Sequence, residues 1–252
     1  MMKIKIFING KFDYMIEYIK SIHQIFEKEG TTIYDSRNLI KVFKEPKGLL
    51  INVKRYHVPS SINRYVYSFG IRKPKGLRAY RYPAKLLNNG IETPEPIAYI
   101  EERQHGILGY SYFVSVQCSY THTMYEVADA KEGSYERLAS ALAKYVAHMH
   151  DKGMMHLDFS PGNILWEEIN DDYYFSVVDI NRMYFGKVNM KKGCNNLKRL
   201  WGPKKFFIML VQEYAKYRGF DVDEAVNIAL KKRAKFWKHY SRKHPIKFNY
   251  ED

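Results

Sequence analysis

A chain of 252 residues with 46% hydrophobic side chains can bury a core and is too apolar to be disordered, so one compact unit or two small lobes is expected. Its formal charge of +14 favours polyanionic partners without choosing among them. The two cysteines, Cys118 and Cys194, match no zinc or redox spacing and read as reduced thiols of a cytosolic protein.

The first ten residues alternate charged and apolar side chains like a strand and lack the continuous apolar stretch of a signal peptide. Even the most apolar run, residues 206–211, is far below the ~20 residues of a membrane span, so a soluble or peripheral chain is expected. Phe12, Met15, Ile16, Ile19, Ile22 and Phe26 recur at helical spacing and predict an amphipathic helix over residues 11–29. Three β-like runs follow, residues 31–34, 39–43 and 49–54, separated by Asp35-Ser36-Arg37-Asn38 and Glu45-Pro46-Lys47-Gly48, the pattern of a meander. Residues 76–88 read as a helix that starts near Pro83 or bends there. Pro94 and Pro96 make residues 90–96 an extended connection, and strands are predicted over 97–102 and 110–117.

From Ser134 the period becomes helical, with Leu138, Leu142, Tyr145 and Met149 on one face and Gly153 as the stop. His156-Leu157-Asp158-Phe159-Ser160-Pro161-Gly162-Asn163 comes next. Ile164-Leu165-Trp166 and residues 173–178 then predict a hairpin, which ends at Asp179-Ile180-Asn181. Residues 195–218 and 222–243 read as helices, the second capped by Asp221.

Phosphoryl transfer needs an Asp to orient the acceptor hydroxyl and take its proton, and an Asn and a second Asp to hold Mg²⁺ on the nucleotide phosphates. Asp158 fits the first role; Asn163 and Asp179, returned to the same loop by the hairpin, fit the metal roles. His156 reads as a side chain that holds the loop by hydrogen bonding. Lys54, at the end of a predicted strand, matches the lysine that contacts nucleotide phosphates in kinases, with Arg55 as its competitor. No glycine-rich phosphate loop is present, so the phosphates fall to the turn at residues 35–38, through its amides, the Ser36 hydroxyl and the Arg37 guanidinium.

Taken together, Asn52-Val53-Lys54-Arg55, Gly90-Ile91-Glu92-Thr93-Pro94-Glu95-Pro96-Ile97-Ala98-Tyr99, residues 156–165 and Asp179-Ile180-Asn181-Arg182-Met183 resemble the lipopolysaccharide core kinases, protein-kinase-like enzymes that phosphorylate Kdo or heptose sugars. The resemblance runs from about residue 33 to 186. It implies an α+β, bilobal protein-kinase-like fold: a mainly antiparallel β N-lobe over residues 1–118 and a helical C-lobe over 119–252. It further implies ATP and Mg²⁺ as cofactors, Asp158 and Lys54 as catalytic residues, Asn163 and Asp179 as metal ligands, and a hinge at Gln117, Cys118 and Ser119 that binds adenine through its backbone.

Departures from the wider kinase pattern narrow the acceptor. Ser160 stands where protein kinases carry a lysine, Asn181 replaces the glycine after the metal-binding Asp, and the region after Asp179 is short for peptide docking. These favour a small hydroxylated acceptor. No acid lies between Glu45 and Glu92, so the predicted helix lacks the Glu that pairs with the strand lysine, and Arg81 stands there. Twelve Lys/Arg and one acid occupy residues 41–85, and eight Lys/Arg and no acid occupy 231–247. With Phe236, Trp237 and Tyr240, the second cluster suggests an interfacial helix at the cytoplasmic face of the inner membrane, where an anionic glycolipid such as Kdo-lipid A resides. No nucleic-acid signature accompanies the charge. Two other readings stay open at this level: a kinase for another small alcohol or for protein, and a pseudokinase or nucleotide- or glycolipid-binding module.

Overall fold

The computed structural model describes residues 2–248. The chain forms two compact units: the first runs through Asn88 and resumes over Thr93–Ser119, and the second takes Asn89–Glu92 and continues from Tyr120.

The first unit contains strands β1 (Met2–Ile8), β2 (Thr31–Asp35), β3 (Asn38–Lys44), β4 (Leu50–Tyr56), β5 (Pro96–Gln104) and β6 (Ile107–Val116). They make one antiparallel sheet in the order β1-β5-β6-β4-β3-β2. Alternation along the strands sends Ile51, Val53, Ala98, Ile100, Tyr112 and Val114 to one face, where they pack with Ile19 and Ile22 of helix α1 (Ile16–Ile25) and with Phe12, Met15 and Phe26.

The helix expected over residues 11–29 is in fact two pieces. Asn9 caps a 3₁₀ helix over Gly10–Met15, Phe12 leaves helical geometry at φ −113°, and α1 begins only at Ile16. The tighter first piece brings both Phe12 and Met15 into the core. Beyond α1 the buried Lys41 ammonium collects the carbonyls of Phe26, Glu27 and Glu29 at 2.7, 3.3 and 3.0 Å. One member of the first basic cluster is therefore a helix-end clamp.

Two helices precede β5. The first, α2 (Ser61–Ser68), was not expected; the second, α3 (Lys75–Leu87), begins well before Pro83 and carries it inside. The expected start near Pro83 fails because Gly76, Ala79, Pro83 and Leu86 form one buried stripe, whose packing offsets the hydrogen bond that proline cannot donate. A Cβ on Gly76 would lie 2.7 Å from the Tyr99 ring and 3.2 Å from the Tyr56 ring, so α3 rests directly on the sheet.

The second unit contains β7 (His122–Thr123), α4 (Glu136–Asp151), β8 (Met154–His156), β9 (Ile164–Ile169), β10 (Asp172–Val177), β11 (Met183–Phe185), α5 (Met190–Leu197), α6 (Lys204–Tyr217) and α7 (Val222–Tyr240). The β9–β10 hairpin turns through Asn170 and Asp171 at φ 52° and 65°, the left-handed pair that suits a two-residue hairpin loop. The single helix expected over 195–218 is divided, because Gly202 at φ 114° and Pro203 interrupt it and Pro203 opens α6. Asp221 caps α7 as expected, accepting from the Glu224 N–H at 2.7 Å.

On α7 the expectation of an interfacial face needs correction. Trp237 and Arg233 are buried, Trp237 edge-on to Phe248 and the Arg233 guanidinium over Phe207. Burial lowers the Arg233 pKa to about 10. Among the described residues no helix is long and apolar enough to cross a membrane.

Candidate active site

In the first unit, Val53 faces α1, so strand alternation turns Lys54 to the opposite face, the one α3 covers. Lys54 is 8% exposed, and its Nζ lies 5.4 Å from the centroid of the Tyr56 ring. Arg55 points the other way, paired with Glu27 and stacked on Phe26 and Tyr110. The two competing basic residues are thus separated by the sheet itself. Helix α3 contains Lys75, Arg78, Arg81 and Lys85 and no acid, with Arg81 and Lys85 exposed.

The other first-unit candidates lie apart from Lys54 along the chain. Ser36 and Arg37 are exposed at the β2–β3 turn, where the Ser36 N–H donates to the Asn38 carbonyl at 3.2 Å. The Gln117 N–H donates to the Leu50 carbonyl at 2.9 Å; its side chain accepts from Asn52 at 2.9 Å and donates to the Cys118 carbonyl at 3.1 Å. This ties the segment Gln117, Cys118 and Ser119 to β4.

In the second unit, the loop after β8 is built around His156. Its Nε2–H donates to the Val178 carbonyl at 3.0 Å, and its Nδ1 accepts from the Asp158 N–H at 3.1 Å. That pair of bonds requires the neutral ring. Burial holds the pKa of His156 below its ordinary value, against the Val178 carbonyl and the carboxylates of Asp179 and Asp158, which pull it up. The imidazole thus bridges the loop to the end of β10, the structural role expected of it.

Asn163 completes the bridge. Its Nδ2 donates to the Asp158 carbonyl at 2.9 Å, and its own carbonyl accepts from the Val178 N–H at 3.0 Å. A 3₁₀ turn over Pro161–Asn163 sets it there. Gly162 is needed in that turn because a Cβ would lie 2.8 Å from the Tyr125 ring. Asp179 adopts φ 55°, a left-handed conformation that Asp tolerates better than most residues, and its Oδ1 accepts from Asn181 Nδ2. These bonds bring Asp158, Asn163 and Asp179 onto one small piece of backbone.

One functional neighbour was not anticipated. Arg199, which follows α5, donates from Nη1 to Asp158 Oδ1, and Arg182 reaches within 3.4 Å of Oδ2. Asp158 is 22% exposed at its side chain, so it meets solvent between two guanidinium groups. No local pattern marks Arg199 in the sequence; only the path of the chain after α5 delivers it.

Support for this loop is buried behind it. His150 on α4 accepts at Nδ1 from the Tyr214 hydroxyl at 2.9 Å and donates from Nε2 to Asn196 Oδ1 at 3.2 Å. Asn196 then donates to the His156 carbonyl at 2.8 Å. Burial, reinforced by the nearby Arg218 charge and opposed by the Asn196 bond, lowers the His150 pKa to about 3.

Asp179 offers a carboxylate and Asn163, its Nδ2 already engaged, an amide oxygen. Both are hard oxygen donors of the kind Mg²⁺ accepts alongside water and phosphates. Among the described residues no group of three or more His, Cys, Asp and Glu could hold a metal ion.

Known proteins share the family pattern and the fold of this chain. The family model described as the lipopolysaccharide kinase (Kdo/WaaP) family matches residues 40–206. No curated protein sequence matches. Among solved structures, WaaP in complex with acyl carrier protein is similar with a TM-score of 0.56 at 15% identity, covering 95% of this chain and 97% of that one. Amicoumacin kinase hAmiN in complex with AMP-PNP, Ca²⁺ and Ami gives 0.55 at 12%, covering 94% and 96%. The Rio2 kinase–ADP/Mg²⁺–phosphoaspartate complex from Chaetomium thermophilum gives 0.53 at 15%, covering 94% and 78%. At these identities the likeness establishes a protein-kinase-like fold.

Proposed function

The chain belongs to the lipopolysaccharide kinase (Kdo/WaaP) family, and from that premise we propose that it phosphorylates a hydroxyl of Kdo, in preference to heptose, on the lipid A inner core, using ATP and Mg²⁺. Its membership already makes it a kinase, a phosphotransferase acting on a sugar hydroxyl. The observation that carries the finer reading is the placement of Arg199 and Arg182 around Asp158. A base flanked by two guanidinium groups suits an acceptor that is itself anionic, and Kdo carries a carboxylate that guanidinium can grip in bidentate fashion.

In this mechanism Asp158 orients the acceptor hydroxyl and takes its proton as the oxygen attacks the terminal phosphorus of the nucleotide and the diphosphate departs. Bound Mg²⁺–ATP supplies the transferable phosphoryl group and neutralises its charge. Asn163 and Asp179 would hold the metal, Lys54 would bind nucleotide phosphates, and the turn with Ser36 and Arg37 would add phosphate contacts. His156 keeps the Asp158 backbone fixed, so the chemistry relies on positioning and electrostatics. The exposed Lys231, Lys232, Lys235 and Lys238 of α7 would draw the enzyme to an anionic cytoplasmic membrane face at about 1 kcal/mol per cation close to the surface.

The test is incubation with ATP, Mg²⁺ and Kdo-bearing lipid A, followed by mass spectrometry. A gain of one phosphate on a Kdo residue, absent with Asp158→Asn, is expected; phosphate on heptose only, or on no lipid A precursor, rejects the Kdo assignment.

A further inference from the structure

Helix α2 turns the buried Tyr67 and the hydrogen-bonding side chains of Arg64 and Ser68 to the protein. Arg64 Nε donates to the Leu108 carbonyl at 2.7 Å, and the Ser68 hydroxyl accepts from the Leu108 N–H at 2.8 Å while donating to the Arg64 carbonyl at 2.6 Å. Arg103 donates to the Ser68 carbonyl at 3.1 Å, so both ends of the helix's inner face are pinned to the β5–β6 hairpin. A separate apolar stripe faces solvent. Ile62 is 78% exposed, Phe69 71% and Ile71 78%, with Val58 and Tyr65 exposed beside them. Ile62, Tyr65 and Phe69 follow helical spacing along one stripe, and the Tyr65 and Phe69 rings lie stacked at 6.2 Å and 10°. A helix that buries a single tyrosine and displays Ile62, Tyr65 and Phe69 leaves most of its apolar surface in water unless something apolar covers it.

The charge around the stripe says what kind of cover fits. Residues 46–91 hold ten Lys/Arg and no acid, and Arg72, Lys73 and Lys75 are exposed next to the apolar residues. Apolar side chains ringed by cations match the layering of an anionic bilayer, with acyl chains below and phosphates at headgroup level. By contrast α7 turns its tryptophan into the core and shows mainly lysines, so it can attract such a surface but not enter it.

We propose that the segment around α2 is a membrane-insertion element, in which Ile62, Tyr65, Phe69 and Ile71 enter the acyl region of an anionic bilayer while Arg72, Lys73 and Lys75 meet lipid phosphates. Its use to the enzyme rests on the reading of a lipid-borne acceptor; its membrane binding does not.

The test is co-sedimentation with vesicles of phosphatidylcholine, with and without phosphatidylglycerol, using the full chain. Wild type is expected to bind the anionic vesicles, and Ile62→Ser with Phe69→Ser to lower partitioning by at least about tenfold, the effect of keeping even one large apolar side chain in water. Both substitutions are at exposed positions, so circular dichroism and the unfolding midpoint should match wild type. A second variant, Phe69→Trp, is expected to show indole quenching by brominated lipid. Equal vesicle binding by wild type and the double variant, or absence of quenching, overturns the proposal. A dimer seen in sedimentation velocity that the double variant loses, without vesicle binding by either, would assign the stripe to a second copy of the chain instead. Phosphate transfer to a deacylated, water-soluble Kdo acceptor should be unchanged in the double variant. Failure of that transfer in wild type sinks the Kdo kinase reading and leaves the vesicle result standing.

Discussion

The guanidinium of Arg199 donates to the carboxylate of Asp158, so the proposed base is oriented by a residue that belongs to the connection between α5 and α6. Arg182 approaches the other oxygen of the same carboxylate. The pair also explains how this loop can carry Ser160 where protein kinases have lysine: positive charge beside the base is supplied from two other places in the chain.

Replacing Asp158 by Asn removes the proton acceptor and keeps the shape. Steady-state kinetics should show kcat lowered by about 10²–10⁴-fold, with nucleotide affinity unchanged by calorimetry. Because Arg199 and Arg182 are both more than a third exposed at their side chains, water can replace the lost partner, and the unfolding midpoint should stay close to wild type.

Arg199→Ala should separate acceptor from nucleotide. The expected result is a KM for the carboxylate-bearing acceptor raised by roughly tenfold or more, the loss of a charge-assisted bond, while the KM for ATP is little changed. Arg199→Lys should restore only part of it, since lysine cannot form the planar fork. Equal loss against an acceptor without the carboxylate would show that Arg199 acts only through Asp158.

Asp179 sits at φ 55°, so its substitutions distinguish charge from backbone strain. Asp179→Asn tolerates the left-handed conformation and should remain folded while losing activity and Mg²⁺-dependent nucleotide binding. Asp179→Ala should show the same catalytic loss together with a lower unfolding midpoint, from roughly 1 kcal/mol of backbone strain.

Stability should fall in mild acid. His150 and His156 both have pKa values lowered by burial, so below the ordinary histidine pKa of about 6.5 the unfolded chain binds more protons than the folded chain. Their contribution is complete above that value and is lost as pH falls below it, by about 2 kcal/mol for His150, whose folded pKa is about 3, on going from pH 7 to pH 5, with His156 acting in the same direction. Denaturant titrations at the two pH values check the slope. His150→Gln should be less stable at pH 7 and less sensitive to acid than wild type.

Gly76→Ala should weaken the first unit. The new methyl would meet the Tyr99 ring at 2.7 Å, and α3 would have to lift from the sheet at a cost of about 1–3 kcal/mol. Since Tyr56 lines the same contact and Lys54 lies against Tyr56, the KM for ATP should rise with the loss of stability. An unchanged midpoint would mean that α3 can slide without cost.

Much of the second-unit site was legible because it is local. A loop, a two-residue turn and paired strands place His156, Asp158, Asn163 and Asp179 within a few bonds of one another, and residue spacing records such arrangements. The meander and the Asp221 cap were legible for the same reason. Arg199 was not, since 41 residues separate it from Asp158 and an arginine after a helix has no distinctive neighbours. The segment with α2 escaped notice because periodicity is read on the assumption that apolar residues face inward, and here they face out. Pro83 misled because the buried stripe of α3 outweighs a local helix breaker, and the 3₁₀ helix before α1 has the same apolar spacing as an α-helix start.

The chain of hydrogen bonds from Tyr214 through His150 and Asn196 to the His156 carbonyl joins α6, α4, α5 and β8 at one buried line. Each bond depends on the next, and none of the three side chains can exchange its partner for water without opening the interior. Strand β8 therefore shares the fate of three helices: α5 or α6 cannot fray alone while the loop that follows β8 stays in place. Amides of β8, α4 and α6 should exchange with solvent as one cooperative block, and heat should extinguish activity in the same transition that melts these helices.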